Sequence, residues 1–130
     1  MVRGLVVRSS SIHAAGCYTS RPIKKGTPII EYDGPRFSKN EADVRYQDRI
    51  VTYLFSSGVD GEVIDGFGTA MFINHSCDAN CYIRCSRHTV EFYTRRALKK
   101  GDELTANYGE THHEGKLPCH CCAANCRGYL

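Results

Sequence analysis

The sequence predicts a mostly β domain, and three observations lead there. Short runs of strand composition recur along the chain, turn-forming residues separate them every six to twelve positions or so, and only one stretch carries the marks of a helix. With 130 residues, 42% of them hydrophobic and 24% charged, the chain makes one domain with a modest core and leaves no room for a second.

Taken in order, residues 4–8 (Gly-Leu-Val-Val-Arg) and 28–32 (Pro-Ile-Ile-Glu-Tyr) read as short strands. Between them Ser11-Ile-His-Ala-Ala-Gly-Cys-Tyr-Thr19 reads as a tight turn, although its run of small residues is also what lets a backbone approach a ligand closely. Lys24-Lys25-Gly26 and Lys99-Lys100-Gly101 read as surface turns with solvated lysines, each just ahead of a strand. Residues 33–49 turn polar, and Ser38 followed three positions later by Glu41 makes a capping box, predicting a short helix there. Ile50-Val-Thr-Tyr-Leu-Phe55 and Glu62-Val-Ile-Asp65, joined by a turn, predict a hairpin. Gly66-Phe-Gly68 breaks the pattern. A second hairpin follows at 81–84 and 89–94, then a strand-like run over 103–108.

The stretch Phe72-Ile-Asn-His-Ser-Cys-Asp-Ala-Asn80 is apolar on entering and then sets an amide, an imidazole, a hydroxyl and a thiol on adjacent residues. Buried, each of those groups needs a partner; otherwise the stretch is a strand end running into a surface loop. No run is apolar enough for a signal peptide or a membrane span, which places the chain inside a cell. The formal charge of +3, with acids interleaved throughout, gives no basic stripe and no direct nucleic-acid partner. Eight cysteines are many for this length, and four of them, Cys119, Cys121, Cys122 and Cys126, fall within eight residues. In a compartment that keeps thiols reduced, clustered cysteines more often bind metal than form disulfides.

Three segments in this order, Phe72-Ile-Asn-His-Ser-Cys77 with Asn80, Gly101-Asp-Glu-Leu-Thr105 with Asn107-Tyr108-Gly109, and Cys119-x-Cys121-x4-Cys126, resemble the SET-domain protein lysine methyltransferases with a post-SET zinc segment. The N-terminal part fits as well: Ile12 to Thr19, then Arg21-Pro-Ile-Lys-Lys-Gly26 and Ile30-Glu-Tyr-Asp-Gly34, looks like that family's cofactor loop and the strand after it. The resemblance implies a SET-domain fold of small curved β-sheets whose C-terminal segment threads a loop as a pseudoknot. The catalytic domain spans 1–112 and a zinc-binding segment 113–130. It implies S-adenosyl-L-methionine as cofactor and, as substrate, a protein or peptide presenting a lysine, with histone tails the family's commonest. Tyr108 is the implied catalytic hydroxyl; Tyr32, Ala106 and Tyr108 line the lysine channel; Ala14, Ala15, Gly16, Cys17, Tyr53, Asn74, His75 and His120 hold the cofactor; Cys77, Cys119, Cys121 and Cys126 bind Zn2+. Spacing alone leaves Cys81 or Cys85 open as the fourth ligand, and Cys122 is taken as a spare thiol.

Three positions depart from the family pattern. Ala14 stands where a first glycine is usual, Met71 where arginine is usual, and Ala106 where a larger aromatic ring often limits methyl addition. The last departure implies room for di- or trimethylation. The chain reads as a minimal catalytic unit, nuclear if eukaryotic and cytoplasmic if prokaryotic. A catalytically silent, zinc-stapled module that binds peptide is the alternative.

Overall fold

A computed structural model describes residues 2–47, 54–57, 61–86, 89–108 and 119–128. Among the described residues ten short strands form three small sheets. β1 (Leu5–Ser9) pairs antiparallel with β2 (Ala15–Thr19), in a register that sets Val7 opposite Cys17. The turn expected over 11–19 is therefore a turn only as far as residue 14. Ala-Gly-Cys carries little strand propensity of its own, and β2 forms because partners lie on both sides of it. Cys17 O accepts from Leu104 N at 2.8 Å, and Thr19 N donates to Asp102 O at 3.0 Å.

The central sheet has the order β3-β9-β8-β10-β7, from β3 (Pro28–Glu31), β9 (Thr89–Thr94), β8 (Cys81–Ser86), β10 (Thr105–Ala106) and β7 (Asn74–His75). β9 alternates half-buried and buried positions along its length, as a strand with one face on the core must. Its Val90 and Phe92, with Ile29, Ile64, Ile73 and Leu104, form the fully buried centre of the core. β10 pairs parallel with both β7 and β8, so the connection 76–80 spans it. Asn80 clamps that crossing: Nδ2 donates to Glu103 O at 2.8 Å and Oδ1 accepts from Thr105 N at 2.9 Å. The strand expected over 103–108 is thus two residues long, with Glu103 held by Asn80, Leu104 by Cys17 O and Tyr108 by His75.

A third sheet, β4-β6-β5, joins β4 (Arg36–Ser38), β6 (Glu62–Asp65) and β5 (Leu54–Ser56), the last two being the expected hairpin. Residues 50–53 of the expected first arm lie outside the described residues. Helix α1 (Lys39–Arg45) starts where the cap predicts, with Ser38 Oγ accepting from Glu41 N at 3.1 Å. A 3₁₀ turn (Thr69–Phe72) delivers the chain into β7.

Candidate active site and metal centre

β7 is short, but parallel pairing fixes its register, Thr105 against Asn74 and Ala106 against His75. Successive side chains on a strand point to opposite faces, so the adjacent amide and imidazole serve different neighbourhoods. The Asn74 amide faces the β2 side, donating to Ala15 O at 2.8 Å and to Glu103 Oε2 at 2.9 Å. His75 faces the other way. Its Nδ1 accepts from Tyr108 N at 3.0 Å, which puts the ring proton on Nε2, 3.4 Å from Cys77 Sγ. Burial, and then the nearby Arg127 guanidinium, push His75 down to about 4, so the ring is neutral near pH 7.

Tyr108 comes within reach of His75 by that same backbone bond. Its hydroxyl donates to Ile73 O, and its ring meets His75 at 5.2 Å between centroids and Phe55 at 5.4 Å, both edge-on. The aromatic wall continues from Phe55 to Tyr32 at 4.7 Å and from Tyr32 to Phe92 at 6.1 Å. Tyr32 sits over Gly66, where an added Cβ would overlap the tyrosine hydroxyl and press the Met71 Cβ at 3.0 Å. Ala106 is fully buried, two residues ahead of Tyr108. A row of rings ending in one fixed hydroxyl suits an extended aliphatic side chain with a nitrogen at its tip, because losing solvent along such a wall disfavours the charged amine relative to the neutral one.

The cysteines gather at the far side of His75. Sγ atoms of Cys77, Cys119, Cys121 and Cys126 all lie within 4.8 Å of one another. Tetrahedral zinc with bonds of about 2.3 Å separates its sulfurs by about 3.8 Å, so this quartet fits one ion with small adjustments. The tail that carries three of them is fastened to the fourth: Asn125 Nδ2 donates to Cys77 O at 3.1 Å, and Arg127 N to Cys77 Sγ at 3.4 Å. Burial raises the Cys121 thiol, but hydrogen bonds from the N–H groups of Cys77 and Ala123 and from the Cys119 and Cys126 thiols together outweigh it and pull the group down to about 6. Cys81 is buried in β8 and Cys85 is exposed; neither joins the quartet. Cys122 is exposed, with a left-handed backbone at φ 61° that turns it away from its neighbour's ligand position.

Of the remaining expected residues, Ala14 is exposed, Ala15 half-buried, and Gly16 and Cys17 buried. His120 is exposed between two of the clustered cysteines, and Tyr53 lies outside the described residues. Two participants escaped the sequence reading. Phe55 was seen only as a strand residue, and Glu103 only as part of a motif. Hydrogen bonds to Ser10 and Asn74 bring Glu103 into the site. The signal available was its place in Gly-Asp-Glu-Leu-Thr, an acid between a turn and a buried strand.

Comparison with known proteins points to one family. The family model described as the SET domain matches residues 14–109. Histone-lysine N-methyltransferase trithorax of Drosophila virilis is 36% identical over 133 residues, covering 93% of this chain and 3% of that protein. The H3 lysine-4 specific histone-lysine N-methyltransferase of Schizosaccharomyces pombe is 35% identical over 133 residues, covering 93% and 14%. Human histone-lysine N-methyltransferase SETD1B is 33% identical over 132 residues, covering 93% and 7%. This chain thus spans a small fraction of the relatives it matches. Among solved structures, a chain of an active polycomb repressive complex 2 in the stimulated state superposes with a TM-score of 0.78 at 27% identity, over 85% of this chain and 16% of that one.

Proposed function

Because this chain belongs to the SET domain family, we propose that it is an S-adenosyl-L-methionine-dependent protein-lysine N-methyltransferase whose substrate is a histone tail. The observation that carries the reading is the bond from Tyr108 N to His75 Nδ1, which joins the Asn-His segment to the one hydroxyl that ends the aromatic wall. The cofactor, when bound, supplies a methyl group already activated on a sulfonium. The protein's part is to align and desolvate the incoming amine. Tyr32, Phe55 and Tyr108 form the wall along which the lysine lies. The Tyr108 hydroxyl, its proton directed to Ile73 O, presents its oxygen as an acceptor that orients the amine. Ala106 leaves the end of the channel wide enough for more than one methyl group.

On this reading the backbone of residues 14–17, with Asn74 and His75, forms the cofactor side, and His120 joins it from the tail. The four clustered thiols hold a structural zinc that fastens residues 113–130 to the catalytic part, 1–112. A histone substrate sets the reaction at chromatin, and no helix among the described residues is long and apolar enough to cross a membrane.

The deciding experiment incubates zinc-loaded protein with methyl-labelled S-adenosylmethionine and a panel of core histones and peptides, beside Tyr108→Phe. Label in lysine that depends on Tyr108 is the expected result. Cofactor binding without transfer to any histone would remove the histone assignment, and absence of cofactor binding would leave the peptide-binding module.

A further inference from the structure

We propose that Glu103 is a positioning residue for the cofactor loop, a latch that sets where the backbone of residues 11–16 stands. The inference rests on the reading above, in which that backbone meets the cofactor. Ser10 Oγ, just ahead of the loop, lies 2.9 Å from both Glu103 carboxylate oxygens. Asn74 Nδ2 donates to Glu103 Oε2 at 2.9 Å and to Ala15 O, at the loop's far end, at 2.8 Å. The carboxylate thus ties the start of the loop to Asn74, and Asn74, oriented by the same carboxylate, holds its far end. The loop's own start is tucked under the same hydroxyl, Ile12 N donating to Ser10 Oγ at 3.1 Å.

Glu103 itself cannot drift. Its backbone bridges Tyr18 on β2, its carbonyl accepts from Asn80 Nδ2 at 2.8 Å, and the next residue's N–H is bonded to Cys17 O at 2.8 Å. Gly16 makes the room: a Cβ there would overlap Glu103 Oε2, lie 2.9 Å from its Cδ and 3.0 Å from the Ser10 Cβ. The glycine expected to let the backbone approach a ligand therefore also admits an internal carboxylate. Both hydrogens of the Asn74 amide go to the latch and the loop, so the side chain of Asn74 acts on a ligand through the backbone it holds.

Glu103→Gln keeps the shape but turns one acceptor into a donor facing the donors of Asn74 and Ser10. Losing a charge-assisted hydrogen bond of this kind weakens cofactor affinity about tenfold. The expected result is a raised dissociation constant and KM for S-adenosylmethionine, with kcat at saturation, peptide KM and Tm close to wild type. Ser10→Ala gives a smaller loss that does not add to that of Glu103→Gln, and Ser10→Asp, which sets two carboxylates together, gives a larger one. Unchanged cofactor affinity in all three, or a parallel fall of Tm and both KM values, overturns the proposal. Hydrogen–deuterium exchange separates this from the catalytic reading, since it needs no cofactor. Amides 11–16 exchange faster in Glu103→Gln than in wild type while the β8–β9 hairpin is unchanged, and equal exchange over 11–16 refutes the latch even if the wild type binds no cofactor.

Discussion

Counting reactive thiols tests the cysteine assignments with numbers the structure supplies. Cys85 and Cys122 are exposed, Cys17 and Cys81 are buried, and the quartet accounts for the remaining four. Burial, reinforced by Cys81 and Glu103, pushes Cys17 up to about 12, and burial pushes Cys81 up to about 11. Only the thiolate attacks a disulfide reagent, so at pH 8 an ordinary cysteine has about a quarter of its molecules reactive. Cys81 and Cys17, both raised by burial, hold a far smaller thiolate fraction. Zinc-loaded protein mixed with a chromogenic aromatic disulfide should therefore show two fast thiols. A strong chelator should raise the count to six, because loss of the metal frees the tail and with it the burial that raises Cys77 and Cys119 in the closed quartet, and denaturant should raise it to all eight. Metal analysis should give one zinc per chain. Six fast thiols in protein purified with zinc, or a count that the chelator leaves at two, would refute the reasoning.

Three further outcomes follow from the packing. Tyr108→Phe removes the donor to Ile73 O and should lower stability by about 1–2 kcal/mol, a Tm loss of ~4–8 °C, while methyl transfer falls by far more than that destabilisation accounts for; equal losses would make Tyr108 merely structural. Gly66→Ala pushes its new methyl against the Tyr32 ring and Met71. It should cost about 1–3 kcal/mol by overpacking and raise peptide KM, and a thermal melt that matches wild type would show that Tyr32 is not confined by Gly66. Ala106→Phe fills the buried space beside Tyr108 and should shift products toward monomethyl-lysine by mass spectrometry; an unaltered product ratio would show that other side chains set the limit.

What the sequence made legible was local. The β8–β9 hairpin, β6 with its partner β5, and the Ser38 cap depend on alternation and spacing within a few residues, and these elements stand where expected. β2 was hidden because Ala-Gly-Cys becomes a strand only between β1 and residues 102–104, partners that sequence periodicity does not reveal. Likewise the run 103–108 has strand composition throughout, yet only Thr105 and Ala106 join the central sheet, while Glu103 makes an isolated bridge to Tyr18 and gives its carbonyl to Asn80. In the site, cysteine spacing alone left three choices for a fourth sulfur; the position of Cys77 beside the docked tail is a long-range fact, 50 residues from Arg127. Glu103 was unreadable for the same reason, its partner Ser10 being 93 residues away.

The insertion of β10 between β7 and β8 also governs timing. As a chain emerges from its N-terminus, β7 has no sheet neighbour until Thr105 and Ala106 arrive, some thirty residues later. Such distant parallel pairing is among the slowest contacts a small domain makes. The strand that closes the sheet is followed within two residues by Tyr108, whose N–H then seats His75. Completion of this sheet and assembly of the Asn74, His75 and Tyr108 constellation therefore depend on the same segment, and a chain cut before Thr105 lacks both the partner of β7 and the residue that seats His75.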